Sequence, residues 1–367
     1  MKIIILLLKT QDIGGAENVF LTILRNLKQS HFAKFVFCLE SPQGEISKKA
    51  GKQGIKLFIN LKSLYAFISA TQSKNLNQQA SEIFLISNGL RMLFLASLLK
   101  IRFKNLKIIF PVFWDSKKFN FLNIIFLFAF IPISFFCNLV VSNSSLSQHD
   151  LSRKFFWIKN RIELMDNGID IDNIDSKNLQ YEKLDNQNFS IISVSRLQKR
   201  KGFEKLLSVS IPLVLKKYPQ STFNIIGKDF LNGKLQDICI EKNIVDNVNF
   251  LGFVDDVEIF YQQADLFILP SLFEGVPTVL LEAMSWKLPA LAFNAGGISE
   301  IYKYSNSLSS ELLINNGDYV EFAHAIIRIL DSKVLRSSLG KDCQKNVIEN
   351  FSSLEMSKKF MEFIENA

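Results

Sequence analysis

The chain has 367 residues, 48% of them apolar and 21% charged, a globular composition that excludes a disordered chain and is too long for one comfortable core. Its formal charge of +8 favours anionic partners, whether nucleotide, nucleic acid or acidic membrane, without choosing among them. Cys38, Cys137, Cys239 and Cys343 lie far apart with no metal-ligand or redox spacing. With only His31, His149 and His324 beside them, they argue for free thiols in a reducing compartment rather than a zinc site.

In chain order, Met1-Lys2 and the apolar run Ile3 to Leu8 imitate a short signal peptide. No small-residue cleavage site follows, and Gly14-Gly15-Ala16-Glu17 does, so the run reads as a buried first strand feeding a glycine loop. Further strands are predicted at Phe35–Leu39, Ile83–Ser87, Ile108–Val112 and Leu139–Ser142. In the second half they are predicted at Ser190–Val194, Thr222–Ile226, Val248–Phe250, Leu266–Leu269 and Ala290–Phe293. Runs this short and apolar on both faces suit strands covered by helices on both sides, and repeated βα alternation implies parallel sheets. Seeing the pattern twice implies two doubly wound domains. Their boundary falls between Asp170 and Asn188, in a segment rich in Asp, Asn, Lys and Gln. The expected division is residues 1–175, residues 188–350, and a C-terminal helical segment 351–367.

Phe121 to Val141 is almost wholly apolar and near the length that spans a bilayer. Pro132 and Asn138 interrupt it, and its end doubles as a buried strand. Three readings stay open: a core helix with its strand, a helix docked on a membrane surface, and a true span.

The chemistry concentrates between Ser193 and Glu300. Ser195-Arg196-Leu197-Gln198-Lys199-Arg200-Lys201-Gly202 follows a strand, and ligands of doubly wound sheets sit at the carboxyl ends of strands. Arg196 and Lys201 there could grip a diphosphate, although a basic loop alone is more often just solvated. Leu269-Pro270-Ser271-Leu272-Phe273-Glu274-Gly275-Val276-Pro277-Thr278 leads from another strand into a helix carrying Glu282-Ala283-Met284. Pro277 suits the first helical position, Gly275 permits close backbone approach, and the helix start offers unpaired N–H groups to an anion. Glu274 precedes the helix and can reach a sugar. Glu282 lies inside it, where its two acceptor oxygens suit the vicinal diol of a ribose. Asn294-Ala295-Gly296-Gly297-Ile298-Ser299-Glu300 is a further glycine turn opening a helix after a strand.

The ordered set Ser195-Arg196-Leu197, Lys201-Gly202, Ala264-Asp265, Pro270-Ser271, Glu274-Gly275, Pro277, Glu282-Ala283-Met284 and Gly296-Gly297 with Glu300 resembles the retaining glycosyltransferases of the GT-B fold, glycosyltransferase family 4. The likeness is dense from about residue 190 to 304. In the first half it rests on Gly14-Gly15-Ala16-Glu17 and Asn167-Gly168-Ile169-Asp170. It implies an α/β fold of two Rossmann-like domains facing across a cleft. The first would bind the acceptor and the second the nucleotide sugar, with the helix Leu354 to Ile364 crossing back to the first. It further implies that Arg196 and Lys201 hold the diphosphate, Glu274 the donor sugar and Glu282 the ribose. The implied donor set also includes Gly14, Gly15, Gly227, Gly275, Val276, Pro277 and Thr278. No metal or cofactor is implied, since protein cations and helix N-termini would neutralise the leaving group. Many relatives place a His near the strand Ile108–Val112. This chain has Trp114-Asp115-Ser116 there, so Asp115 is the candidate to take its place as a polar contact.

The resulting expectation is retaining transfer of a hexosyl residue from a UDP-linked sugar to a glycan or lipid-linked glycan in bacterial surface-polysaccharide assembly. The setting would be cytoplasmic, with peripheral contact at the inner face of the cytoplasmic membrane. The alternative is a catalytically impaired partner subunit that keeps the fold. No Gly-x-Gly-x-x-Gly follows a strand, which argues against a nicotinamide oxidoreductase, and no nucleic-acid recognition motif is present.

Overall fold

The structure, a computed structural model, describes residues 2–11, 14–28, 31–74, 82–113, 131–171, 188–254 and 256–366. Asp115, residues 121–130 of the apolar run and most of the expected linker lie outside the described residues.

The first unit comprises Met1–Gly168 and Ser353–Ala367. Its elements are β1 (Lys2–Leu8), α1 (Gly15–Asn26), β2 (Phe32–Cys38), α2 (Glu45–Lys52), β3 (Lys56–Phe58), α3 (Leu61–Lys74), β4 (Ile83–Ser87), α4 (Leu90–Arg102), β5 (Leu106–Val112), β6 (Cys137–Ser142), α5 (Ser145–Lys154) and β7 (Ile162–Leu164). The sheet order is β3-β2-β1-β4-β5-β6-β7, and every neighbouring pair is parallel. The run Ile3–Leu8 shows why its strand is apolar throughout. Ile3, Ile5 and Leu7 enter one core, and Ile4, Leu6 and Leu8 the other.

The second unit is Ile169–Ser352. It begins with β8 (Ser190–Val194). Three helical pieces, Phe203–Lys205, a π turn at Leu206–Ser210 and Ile211–Lys217, then run on as one helix, α6. The π turn stands just before Pro212, which has no N–H to give and whose ring crowds the carbonyl four residues back. There follow β9 (Thr222–Ile226), α7 (Lys234–Glu241), β10 (Val248–Gly252), α8 (Glu258–Gln263), β11 (Leu266–Leu269), α9 (Thr278–Ser285), β12 (Ala290–Phe293), α10 (Ser299–Tyr302), α11 (Asn306–Leu312), β13 (Leu313–Ile314), α12 (Tyr319–Asp331) and α13 (Lys333–Asn350). The order β10-β9-β8-β11-β12-β13 is again all parallel. Strand order reverses between β8 and β11, and the crevice at such a reversal is where doubly wound sheets bind ligands.

The last helix, α14 (Ser353–Asn366), belongs to the first unit. Met356, Phe360 and Ile364, four residues apart, line the face it buries. Phe360 meets Phe20 of α1 edge-on, with ring centroids 6.0 Å apart. Asn26 fixes the start of α14, its Nδ2 donating to the Ser353 carbonyl at 3.2 Å and to Ser357 Oγ at 3.1 Å.

The apolar run Phe121–Val141 ends, within the described residues, in a helical turn at 131–134 and the strand β6. Among the described residues no helix is long and apolar enough to cross a membrane.

Candidate active site

The loops leaving β8 and β11 meet at the reversal of the second sheet. After β8 the chain runs beside the loop that follows β9. Leu197 N–H donates to the Lys228 carbonyl at 2.9 Å, and Phe230 N–H returns to the Leu197 carbonyl at 3.0 Å. This close passage requires Gly227, whose φ is +147° and where a Cβ would stand 1.8 Å from the Ser195 carbonyl oxygen. Arg196 is exposed at the crest of this loop.

A 3₁₀ turn, Lys199–Lys201, then carries Lys201 inward. Lys201 and Glu274 are each only 8% exposed, and Lys201 Nζ donates to Glu274 Oε1. Burial pulls the Lys201 ammonium below the usual lysine range, and the Glu274 carboxylate opposes that pull. Arg200 completes the group. Its Nη1 lies 3.7 Å from Glu274 Oε2 and donates to the Phe273 carbonyl at 3.3 Å. The Arg200 and Arg196 charges push the Lys201 ammonium further in the same direction as burial.

The Glu274 backbone is clasped by the glycine turn after β12. Gly297 N–H donates to the Glu274 carbonyl at 3.0 Å, and a Cβ on Gly296, φ +67°, would stand 2.0 Å from that oxygen. The Gly296-Gly297 turn therefore shapes the Glu274 loop, and the Gly297 N–H is already engaged. Positive φ angles are found at Gly202, in the loop after β8, and at Gly296, in the turn after β12, but not at Gly275. Helix α9 begins at Thr278 with Pro277 as its cap residue, one position earlier than the first helical place the sequence predicts. Val276 and Thr278 have buried side chains, so their offering to a ligand is main-chain. Helix geometry leaves the first N–H groups of α9 without intrahelical acceptors.

Glu282 lies on α9, half-buried, and accepts a long hydrogen bond (3.4 Å) from Tyr261 Oη. The buried Tyr261 hydroxyl is held well above the usual phenol range, by burial first and the Glu282 charge second, so it stays a donor. Asp265 lies at the other end of the sheet. Its Oδ2 accepts from Ser190 N–H at 2.9 Å and fastens the start of β8 to β11.

In the first unit, Gly14 caps α1. Its N–H donates to Glu17 Oε2 at 3.1 Å, and Glu17 Oε1 accepts from Asn88 Nδ2 of the loop after β4 at 2.6 Å. The Gly14-Gly15 loop is thus braced from the neighbouring strand end. Sequence reasoning passes over Arg200, Tyr261 and Asn88. Only Arg200 had a signal, as the third cation of Lys199-Arg200-Lys201.

The sequence profile of the family described as glycosyl transferases group 1 matches residues 175–346. An uncharacterized glycosyltransferase of Haemophilus influenzae is 26% identical over 302 residues, covering 80% of this chain and 81% of that protein. Residues 175–346 thus carry the sequence pattern of the group 1 glycosyltransferases. The UDP-Gal:alpha-D-GlcNAc-diphosphoundecaprenol alpha-1,3-galactosyltransferase of Escherichia coli is 30% identical over 142 residues, 38% of this chain and 36% of that enzyme. The crystal structure of Anabaena Alr3699/HepE in complex with UDP-glucose superposes with a TM-score of 0.79 at 20% identity, covering 100% of both chains. The chain therefore has the GT-B fold, with two Rossmann-like domains.

Proposed function

We propose that the protein is a retaining, metal-independent hexosyltransferase that takes its donor as a UDP-sugar. In this reading Arg196 and Lys201 hold the diphosphate, Glu274 touches the donor sugar and Glu282 accepts from the ribose hydroxyls. Backbone N–H groups at Gly275, Val276 and Thr278 complete the donor site, with Pro277 fixing the backbone between them. The acceptor is a glycan or lipid-linked glycan of a bacterial surface polysaccharide, handled at the cytoplasmic side. The names of the E. coli galactosyltransferase and of the UDP-glucose complex support this choice of donor and acceptor.

The observation that carries the reading is the buried Lys201–Glu274 pair at the sheet reversal, with Arg200 beside it and the Arg196 charge acting on Lys201. Cations concentrated there suit the charge that grows on a departing diphosphate. They need no reorganisation as that charge develops. Each charge-assisted hydrogen bond to the leaving group is worth roughly 1.5–3 kcal/mol, so losing one costs about one to two decades in rate.

The test is thermal unfolding with UDP, GDP, ADP, CMP or dTDP in excess. A nucleotide at about 100 times its dissociation constant adds about 2.7 kcal/mol, a rise of roughly 5–10 °C for a unit of this size. UDP alone is expected to give it, and Arg196→Ala to abolish it. No rise with any nucleotide would overturn the donor assignment.

A further inference from the structure

Helix α4 is apolar on its outer face as well as its inner one. Met92, Leu93, Ala96 and Leu99 enter the core. Phe94, Leu98 and Ile101, spaced four and three residues apart on the opposite face, are 57%, 49% and 62% exposed. A solvated helix would carry polar groups there. Exposed Arg91 and Arg102 flank this stripe, with Lys104 just beyond the helix.

The stripe has a neighbour. Lys100 of α4 donates to the Phe136 carbonyl at 2.9 Å, tying the helix to the segment that leads into β6. In that segment Phe135 is 60% exposed and stacks on Trp157 at 6.3 Å, and Trp157 meets Phe156, 69% exposed, at 5.3 Å. Arg161 holds the Cys137 carbonyl at 2.9 Å beside them. Leu93, Leu99, Ile133, Phe155 and Ile158 share one core cluster, so both groups of exposed rings stand on the same layer over the sheet.

The charge of this layer is one-sided. Residues 90–104 hold four Lys or Arg and no acid, and residues 131–161 hold four and one acid, Asp150. Their surplus of seven is most of the chain's net charge of +8. Phosphates of a nucleic acid would answer the cations but gain nothing from Leu98 and Ile101. A lipid surface uses both, headgroup phosphates meeting the cations while the apolar side chains enter the headgroup boundary.

We propose that this face of the first unit docks on an anionic lipid bilayer, with Phe94, Leu98, Ile101, Phe135 and Phe156 entering the headgroup region. The proposal does not depend on the donor assignment, since docking is read without nucleotide or turnover. The full chain is spun down with vesicles rich in phosphatidylglycerol and, separately, with vesicles of phosphatidylcholine alone. It is expected to partition to the anionic vesicles and to leave them as salt is raised. Each surface cation contributes about five-fold in partition, so the combined Arg91→Glu, Arg102→Glu and Lys104→Glu variant is expected to lose at least ten-fold. The combined Phe94→Ser, Leu98→Ser and Ile101→Ser variant is expected to lose as much, and to lose it in low salt as well. Both variants should keep the wild-type melting temperature, because every changed side chain is exposed. Equal partition of wild type and variants, or no partition to either vesicle, overturns the proposal. So does a wild-type dimer that the serine variant converts to monomer, which would make the face an interface between two copies.

Discussion

Lys201 and Glu274 illustrate how a residue pair too buried to be cheap is kept at a candidate site. An ammonium and a carboxylate withdrawn from water recover the cost only in each other's presence. Lys201→Met would leave Glu274 facing only Arg200, 3.7 Å away. Breaking a buried pair costs about 3–5 kcal/mol, and removing both charges costs far less. The expected outcome in urea unfolding is a second unit destabilised by about 3 kcal/mol in Lys201→Met and largely restored in Lys201→Met/Glu274→Gln. Neither variant should turn over substrate, which separates stability from chemistry. The cysteines give a pH dependence of known sign. Burial pushes Cys38 and Cys239 up to about 11, and Cys137 and Cys343 up to about 12. In the unfolded chain each thiol ionises near pH 8.5. Their folded pKa values are raised, so their contribution to stability is complete below about pH 8.5 and drains away as pH climbs towards 11–12. Ellman's reagent at pH 8 is expected to find no reactive thiol in the native protein and four after unfolding. A fast-reacting native thiol would contradict the burial.

At the scale of elements, α14 shows what a terminal helix does for a sheet it does not adjoin in sequence. Phe360 is fully buried against Phe20 of α1, within the same cluster as Ile4 and Leu6 of β1. Truncating such a ring costs about 3–5 kcal/mol, because the site cannot collapse around the void. Phe360→Ala is therefore expected to lower the unfolding transition of the first unit and leave that of the second unmoved. Calorimetry with and without UDP would assign the two transitions. Central strands and edge strands also differ in how plainly their sequences announce them. β4, β8, β9, β11 and β12 fall where their apolar runs place them, since a strand covered on both faces is mostly apolar, with only small or partnered polar residues such as Ser193 and Asn224. β3, β7 and β13 lie at sheet edges and are two or three residues long. Lys56-Leu57-Phe58 and Ile162-Glu163-Leu164 are too short and too mixed to make a pattern, and only a neighbouring strand makes strands of them.

For the whole molecule, the division of the chain predicts unequal independence of its parts. The second unit is one continuous stretch, Ile169–Ser352, with its own core. The first is assembled from both ends of the chain. A fragment of residues 169–352 is expected to unfold cooperatively when expressed alone. A fragment of residues 1–168 lacks Met356, Phe360 and Ile364 and leaves Phe20 uncovered, so it is expected to melt early or aggregate. Circular dichroism of the two fragments, with residues 353–367 added back as a peptide to the second, checks both statements.

By itself the sequence determined the two parallel α/β halves, most of their central strands, and the two loops that carry Arg196, Lys201 and Glu274. These are consequences of short-range order, since burial on two faces, a helix start and a glycine turn each leave a mark within a few residues. Tertiary structure alone decided that β8 and β11 are neighbours, and so that Lys201 reaches a carboxylate 73 positions away. It alone decided that Gly202, Gly227, Gly296 and Gly340 cannot be replaced, because at each a Cβ would strike a carbonyl oxygen from a distant segment. It also decided that the exposed rings of α4 and of residues 135–156 share one layer. Each of these depends on which surfaces meet when the chain buries its apolar area, a choice made by the fold as a whole and written in no single segment.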